Sequence, residues 1–153
     1  MKIYTDGAYR AKINPDIAAW GFIAVDDDGQ ILHEDAGIVQ HPLSRQIDGE
    51  CEAVIRALEF AYENDIQEVD IYHDLEGLKH WADGSWKRNT PVTQSYYERF
   101  NLLQAKLLSL PREVPRFVAF HWVRGHNGNE FNELVDELAV GMLETYTFLE
   151  RGE

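Results

Sequence analysis

The order of apolar patterns along the chain limits its fold more than any other feature. Three strand-like segments come first, and the turn DDDGQ at 26–30 predicts a hairpin between the second and the third. Segments with helical spacing then alternate with two further strand-like segments. A helix between the third and fourth strands makes a crossover. We therefore expect an α/β fold with a five-stranded mixed sheet, three antiparallel strands and then two parallel ones, flanked by helices. The predicted strands are 2–6, 18–25, 31–39, 68–74 and 116–123.

Four helices are predicted from apolar residues that recur every three or four positions. Asp48 and Gly49 precede the first of these apolar stripes and are expected to cap the first helix. The last helix is predicted from Glu130 to about Phe148. Residues 1–148 are therefore expected to form one domain, with 149–153 as a short C-terminal tail. The second and third helices are predicted near 75–82 and 93–109.

Composition excludes several classes of protein. The 153 residues are 44% hydrophobic, enough to bury a core, and they contain no apolar run of membrane-spanning length. The N-terminus shows no signal-peptide pattern, and Cys51 is the single cysteine, so we expect a cytoplasmic protein without disulfides. No assembly signal is evident in the sequence, and a monomer is expected. The formal net charge of −13 argues against a broad surface for binding polyanions.

Four carboxylates stand at the boundaries of the predicted elements. Asp6 ends the first strand, Glu50 lies in the first turn of the first long helix, and Asp74 ends the fourth strand. Asp136 lies on the last helix, one turn after Asn132. If the first and fourth strands are parallel neighbours, Asp6 and Asp74 emerge at the same end of the sheet, where open α/β sheets bind ligands.

Carboxylates gathered at one point would repel one another, and some would be protonated unless cations lay between them. Oxygen ligands of this kind suit Mg²⁺ or Mn²⁺, and two such ions can activate a water and stabilise the leaving oxygen of a phosphodiester. The alternative is that each acid is a solvated residue at the end of an element. Glu50 in particular has a position that the helix dipole favours. The four positions taken together favour a metal site.

Four motifs resemble those of type 1 ribonucleases H, in the same order and over nearly the whole chain. YTDGA at 4–8 is similar to the first-strand motif of that family, and GECEAVIRALEFA at 49–61 is similar to its helix opening, in a register that selects Glu50 over Glu52. IYHDLEGL at 71–78 resembles the fourth-strand motif, and WVRGHNGNEFNELVDELA at 122–139 resembles the final segment. Each motif alone is weak, whereas four in order with consistent spacing are specific. The resemblance implies a ribonuclease-H-like fold.

The resemblance also implies an activity, which is two-metal hydrolysis of the RNA strand of RNA–DNA hybrids to give 5′-phosphate and 3′-hydroxyl ends. It assigns the metal ligands to Asp6, Glu50, Asp74 and Asp136, with Mg²⁺ or Mn²⁺ as the cofactor. His126, in a loop between two glycines, is implied as a further catalytic residue for proton transfer and product release. Without the resemblance, His126 is interpreted as an ordinary surface histidine.

Residues that bind the hybrid are assigned from the same resemblance and from local chemistry. The segment SRQIDGE, which ends at Glu50, resembles the segment that family members use to contact the minor-groove side of the hybrid. Gln46 stands where asparagine is commoner in that family. Basic residues and tryptophans alternate at 79–88, where many relatives carry a basic protrusion. The alternative for that stretch is a tryptophan that packs the short helix onto the core. The predicted substrate-binding residues are Gly7, Arg45, Gln46, Trp81, Lys87, Arg88, Arg124 and Asn132.

Two other functions fit parts of the pattern. One is a catalytically silent ribonuclease-H-like module that binds nucleic acid or protein, and the presence of all four acids and His126 disfavours it. The other is a different two-metal nuclease of the same fold, such as a junction resolvase or an exonuclease. The Gly-His-x-Gly loop before Asp136 favours the hybrid-specific family over that alternative.

Overall fold

The computed structural model describes residues 1–66, 68–109, 117–123 and 129–152 of the chain. Within these ranges, one sheet of five strands carries four helices. The strands are β1 (Lys2–Ala8), β2 (Ile17–Val25), β3 (Ile31–Gln40), β4 (Glu68–His73) and β5 (Phe117–Trp122). The helices are α1 (Gln46–Glu63), α2 (Gly77–Asp83), α3 (Pro91–Ser109) and α4 (Glu130–Arg151).

The sheet has the strand order β3-β2-β1-β4-β5. The β1–β2 and β2–β3 pairs are antiparallel, whereas the β1–β4 and β4–β5 pairs are parallel. This topology confirms the predicted mixed sheet. The parallel register sets Tyr4 beside Tyr72. Asp6 therefore comes two residues after Tyr4, and Asp74 comes two residues after Tyr72, at the same end of the sheet.

Helices cover both faces of the sheet. α1 packs on one face against β1 and β2, and α3 packs on α1. α4 crosses the other face against the same two strands and β3. Successive side chains of β1 point to opposite faces of the sheet. Ile3 belongs to the core on the α1 side, and Tyr4 belongs to the core on the α4 side. β2 is buried along its whole length, and its nearly continuous apolar sequence is typical of a strand that is covered twice.

Several boundaries differ from the sequence-based prediction by a few residues, and β4 ends at His73, so Asp74 follows the strand and does not end it. β1 continues two residues past Asp6, because β2 still pairs with those residues although β4 no longer does. α1 begins at Gln46, so Asp48 lies inside its first turn and is not the cap. α4 continues to Arg151, where Gly152 in the left-handed conformation ends it, so most of the expected tail is helical.

The helices are amphipathic, as their packing requires. α4, with 22 residues, buries one stripe against the sheet and carries acidic residues on its exposed side. Within the described ranges, no helix is both long and apolar enough to cross a bilayer.

Candidate active site

A close backbone contact between β1 and α1 brings two of the predicted acids together. A side chain at Gly7 would clash with the backbone of Glu50, and a side chain at Gly49 would clash with the carbonyl oxygen of Ala19. Glycine is therefore required at both positions for α1 to approach β1 and β2 this closely. Because Gly7 follows Asp6 and Gly49 precedes Glu50, the contact sets these two acids side by side. Gly7 was predicted to bind substrate, and the structure places it in this buried contact.

Asp6, Glu50 and Asp74 form the carboxylate cluster. Each offers one oxygen, and these oxygens lie within 4.8 Å of one another. Asp6 is 4% exposed and Glu50 is 1% exposed, whereas Asp74 is exposed. The Gly7 amide donates to Asp6 Oδ1 at 2.9 Å, but neither oxygen of Glu50 has a hydrogen-bond partner among the described residues. A buried carboxylate without a donor is costly, and a bound divalent cation would satisfy it, so the donor set fits a metal.

Burial and repulsion favour the protonated forms of the two buried acids. The pKa of Asp6 is raised from 3.8 to about 8, chiefly by burial and then by the negative charges of Asp74 and Asp136, while its contact with Glu50 acts in the opposite direction. Burial raises the pKa of Glu50 well above its usual value, and the charges of Asp6 and Asp74 add to this effect. Metals bind the deprotonated form of a carboxylate, so binding at the cluster would release protons.

Asp136 stands beside the carboxylate cluster. It is half-buried on the second turn of α4, and its charge raises the pKa of Asp6. It does not belong to the group of oxygens within 4.8 Å. The structure thus brings three of the four predicted ligands together. The fourth, Asp136, lies on α4 and raises the pKa of Asp6 through its charge. Asn132, one turn earlier on α4, is also half-buried.

Glu52, the next glutamate on α1, is engaged by arginines. Arg99 donates two hydrogen bonds to its carboxylate, at 2.7 and 3.0 Å, and Arg56 Nε donates a third at 2.8 Å. Burial tends to raise the pKa of Glu52, but these donors bring it below its usual value. Glu50, and not Glu52, therefore faces the cluster, as the predicted register requires.

The segment that leads into α1 is shaped by Asp48. Its carboxylate accepts hydrogen bonds from the backbone amides of Ser44 at 2.6 Å and Leu43 at 3.4 Å. The turn places Arg45 at a φ of 53°, which is uncommon for a residue with a side chain. Arg45 and Gln46, both predicted to bind substrate, are exposed at the start of the helix.

The two tryptophans that follow β4 differ in their surroundings. Trp81 is half-buried and packs against the core on the α1 side, which is the alternative interpretation of this stretch. Trp86 is 40% exposed. The guanidinium of Arg88 lies 3.9 Å from the centre of the Tyr97 ring, and Lys87 is exposed. Contact of Trp81, Lys87 and Arg88 with substrate stays a prediction.

Two predicted site residues, His126 and Arg124, lie outside the described residues. Their proposed roles in catalysis and substrate binding therefore rest on the sequence alone.

Sequence reasoning missed His73 and Trp122, whose side chains bind the backbone around Asp74. A signal for His73 was present in the strand pattern. Val69, Ile71 and His73 alternate on the buried face of β4. A histidine at an apolar position of this kind needs a hydrogen-bond partner. No comparable signal marks Trp122, which is 40% exposed at the end of β5.

Comparison with known proteins gives one consistent family. The profile of the RNase H family matches residues 1–144. A ribonuclease H of Ruthia magnifica subsp. Calyptogena magnifica is 32% identical over 149 residues, which cover 90% of each chain. A ribonuclease H of Brucella anthropi is 33% identical over 152 residues, which cover 97% of this chain and 92% of the relative.

Solved structures agree with these sequence relatives. The RNase H1 of the halophilic archaeon Halobacterium salinarum NRC-1 has a TM-score of 0.75 and 25% identity, covering 94% of this chain and 97% of that one. LC11-RNase H1, isolated from compost by a metagenomic approach, was solved in complex with an RNA/DNA hybrid. That complex gives a TM-score of 0.70 with 25% identity, covering 93% of this chain and 98% of the other.

The glycine contact predicts opposite effects for two glycine-to-alanine substitutions. Gly7→Ala should lower the free energy of unfolding by about 1–3 kcal/mol, because its methyl group meets backbone that cannot move aside. Gly141→Ala is the matched control: its methyl group meets nothing, and alanine in a helix should add about 0.5–1 kcal/mol. Urea denaturation measures both. Equal stabilities for the two variants would contradict the close approach of α1 to β1.

The raised pKa of Asp6 predicts how stability depends on pH in the metal-free protein. The folded state holds this proton more tightly than the unfolded state, so the contribution of Asp6 is full below about pH 4 and is lost as the pH rises toward 8. Asp6→Asn keeps an oxygen for the Gly7 amide and should flatten this fall, giving a more stable protein at pH 8. Urea denaturation in a chelator across this pH range tests it, and parallel pH profiles for the two proteins would show that Asp6 titrates normally.

Proposed function

This chain belongs to the RNase H family, and we propose that it hydrolyses the RNA strand of RNA–DNA hybrids at the carboxylate cluster. In this reaction a water oxygen bonds to phosphorus and the bond from phosphorus to the 3′ oxygen breaks. The water gives up a proton as it bonds, and the 3′ oxygen takes up a proton as it leaves. The products are a 5′-phosphate and a 3′-hydroxyl.

The observation that carries the proposal is the cluster itself. Three carboxylate oxygens from β1, α1 and the end of β4 lie within 4.8 Å, and the most buried acid, Glu50, has no donor among the described residues. A structural role does not explain this arrangement, because replacing such a buried acid by an apolar residue would stabilise the metal-free fold. Binding of cations does explain it.

We assign the divalent ions, Mg²⁺ with Mn²⁺ as the alternative, to Asp6, Glu50 and Asp74, with Asp136 completing the site beside Asp6. Bound there, such ions would supply an activated water and would stabilise the leaving oxygen. The protein holds the ligands at fixed spacing and keeps Glu50 out of bulk water. His126 is assigned to proton transfer and product release on the family resemblance.

The proposed substrate rests on the family and on a structural neighbour. LC11-RNase H1, 25% identical to this chain, was solved with an RNA/DNA hybrid. A protein that selects a hybrid has to sense the 2′-hydroxyls and the shape of the duplex, since base sequence is not read. Arg45 and Gln46, exposed at the start of α1, are the residues we assign to the minor groove, and Lys87 and Arg88 we assign to the DNA strand.

We further propose that the protein works as a monomer in a reducing cytoplasm. Its one cysteine, Cys51, is free and buried, and burial raises the pKa of the thiol, which keeps it protonated.

A panel of substrates tests the function. The purified protein with Mg²⁺ should cut the RNA strand of a labelled hybrid, and it should leave duplex RNA, duplex DNA and single strands intact. A chelator should abolish the cleavage, and added Mg²⁺ should restore it. Duplex DNA cut in preference to hybrid would favour a different two-metal nuclease. No cleavage of any substrate would favour a silent binding module.

A pair of isosteric substitutions tests the metal ligands. Asp74→Asn should lower the rate by at least about 100-fold, because even residues that only support a metal ligand cost 10–100-fold. Glu52→Gln is the matched control: it removes a carboxylate that arginines already occupy, so cleavage should persist. Initial rates on the hybrid at saturating Mg²⁺ measure both, with circular dichroism to confirm folding. Substantial turnover by Asp74→Asn would exclude a ligand role for Asp74.

A further inference from the structure

The chain around Asp74 is held by hydrogen bonds to three successive carbonyl oxygens. The Val123 amide donates to the carbonyl of His73 at 2.7 Å. The Trp122 indole donates from Nε1 to the carbonyl of Asp74 at 3.3 Å. The ring of His73 reaches past Asp74 to the carbonyl of Leu75, with Nδ1 at 2.9 Å from the oxygen. These three contacts fix the backbone at the point where β4 ends and the chain turns toward α2.

The side chain of His73 is well placed for this contact. A carbonyl oxygen can only accept, so Nδ1 carries the hydrogen and the tautomer is assigned. His73 is 1% exposed, and the Phe120 ring meets it edge to face with the ring centres 5.5 Å apart. Packing therefore holds the imidazole in the orientation in which it bonds Leu75.

Asp74 needs such support more than the other members of the carboxylate cluster. Asp6 and Glu50 lie in the packed contact between β1 and α1 and are almost fully buried. Asp74 is exposed, so burial does not confine it. The position of its backbone therefore bears directly on where its carboxylate lies.

We infer that His73 and Trp122 are positioning residues that hold Asp74 in the cluster and thereby set the affinity of the site for divalent cations. The inference rests on the proposed function, since it takes the cluster to be the metal site. Neither side chain need touch the substrate or the ions, because each acts through the backbone on either side of Asp74. Their loss should weaken metal binding, whereas the rate at saturating metal should change little.

Trp122→Phe gives the first test, because it removes the indole N–H and keeps an aromatic ring at an exposed site. Loss of one hydrogen bond of ordinary strength should weaken Mn²⁺ binding about 3- to 10-fold. Calorimetric titration of Mn²⁺ into the full-length protein without substrate measures the affinity. Trp86→Phe is the control, since Trp86 is exposed to the same 40% and makes no contact with the Asp74 carbonyl. Its affinity for Mn²⁺ should equal that of the unmodified protein.

A pair of substitutions at His73 gives the second test. His73→Leu removes the donor to Leu75, and it should weaken Mn²⁺ binding by a similar factor. His73→Asn places an amide N–H near the position of Nδ1 and should restore most of the affinity. A residue that served only to fill the core would give the opposite order, because leucine fills a buried site better than asparagine.

The Mg²⁺ dependence of hybrid cleavage separates the outcomes. We expect Trp122→Phe and His73→Leu to need several-fold more Mg²⁺ for half-maximal rate. Their kcat at saturating Mg²⁺ should stay within about twofold of that of the unmodified protein. If the unmodified protein binds Mn²⁺ and cleaves hybrid while Trp122→Phe binds equally well, the positioning role is overturned and the proposed function stands. If the unmodified protein neither binds Mn²⁺ nor cleaves, both are overturned. Should His73→Leu fail to fold, Trp122→Phe decides the matter.

Discussion

Mutual repulsion among Asp6, Glu50 and Asp74 is the constraint on which the arrangement of the site depends. Bringing three carboxylate oxygens within 4.8 Å and burying two of the acids costs free energy that the cluster itself does not return without cations. The stabilisation comes from elsewhere, namely the apolar packing of α1 and α4 on opposite faces of β1 and β2. The site therefore lies at the edge of the core that these elements form, and the packing of that core offsets the locally unfavourable arrangement.

The space for the cluster arises where the two central parallel strands part. β1 and β4 are paired up to Tyr4 and Tyr72, whose rings stack at 4.8 Å beneath the site. Beyond this residue pair, β1 is paired with β2 alone among the described strands. The segment that follows β4 turns away at Asp74 toward α2. The start of α1 enters beside β1 at this level, and the contact at Gly7 shows how closely it does so. The three acids thus come from β1, from the first turn of α1 and from the residue after β4, which meet at the edge of the sheet where open α/β folds usually bind a ligand.

The sequence predicts the sheet and the cluster well because both depend on strong, local signals. Apolar alternation sets the strands, and the acids fall at positions that the register of neighbouring strands brings together. What it missed lies in particular hydrogen bonds and strand pairings, some of them between segments that are distant in the sequence. Asp48 was interpreted as a cap because a short polar side chain before an apolar stripe usually is one, whereas here it binds the amides of the turn behind it. The extension of β1 past Asp6 depends on β2, and the contact of Trp122 with the carbonyl of Asp74 depends on β5.

The net charge of −13 bears directly on how such a site meets a polyanion. Three of the described arginines are engaged within the protein: Arg56 and Arg99 bind Glu52, and Arg151 donates to the side chain of Asn14. A metal-free cluster would add to the repulsion of a phosphate backbone. Two divalent ions would carry four positive charges against the four carboxylates of Asp6, Glu50, Asp74 and Asp136, so loading the site would neutralise it at the place where the scissile phosphate has to approach. In a protein this acidic, bound metal would then favour docking of the substrate as well as the chemistry, and the contacts that we propose to position Asp74 would serve both.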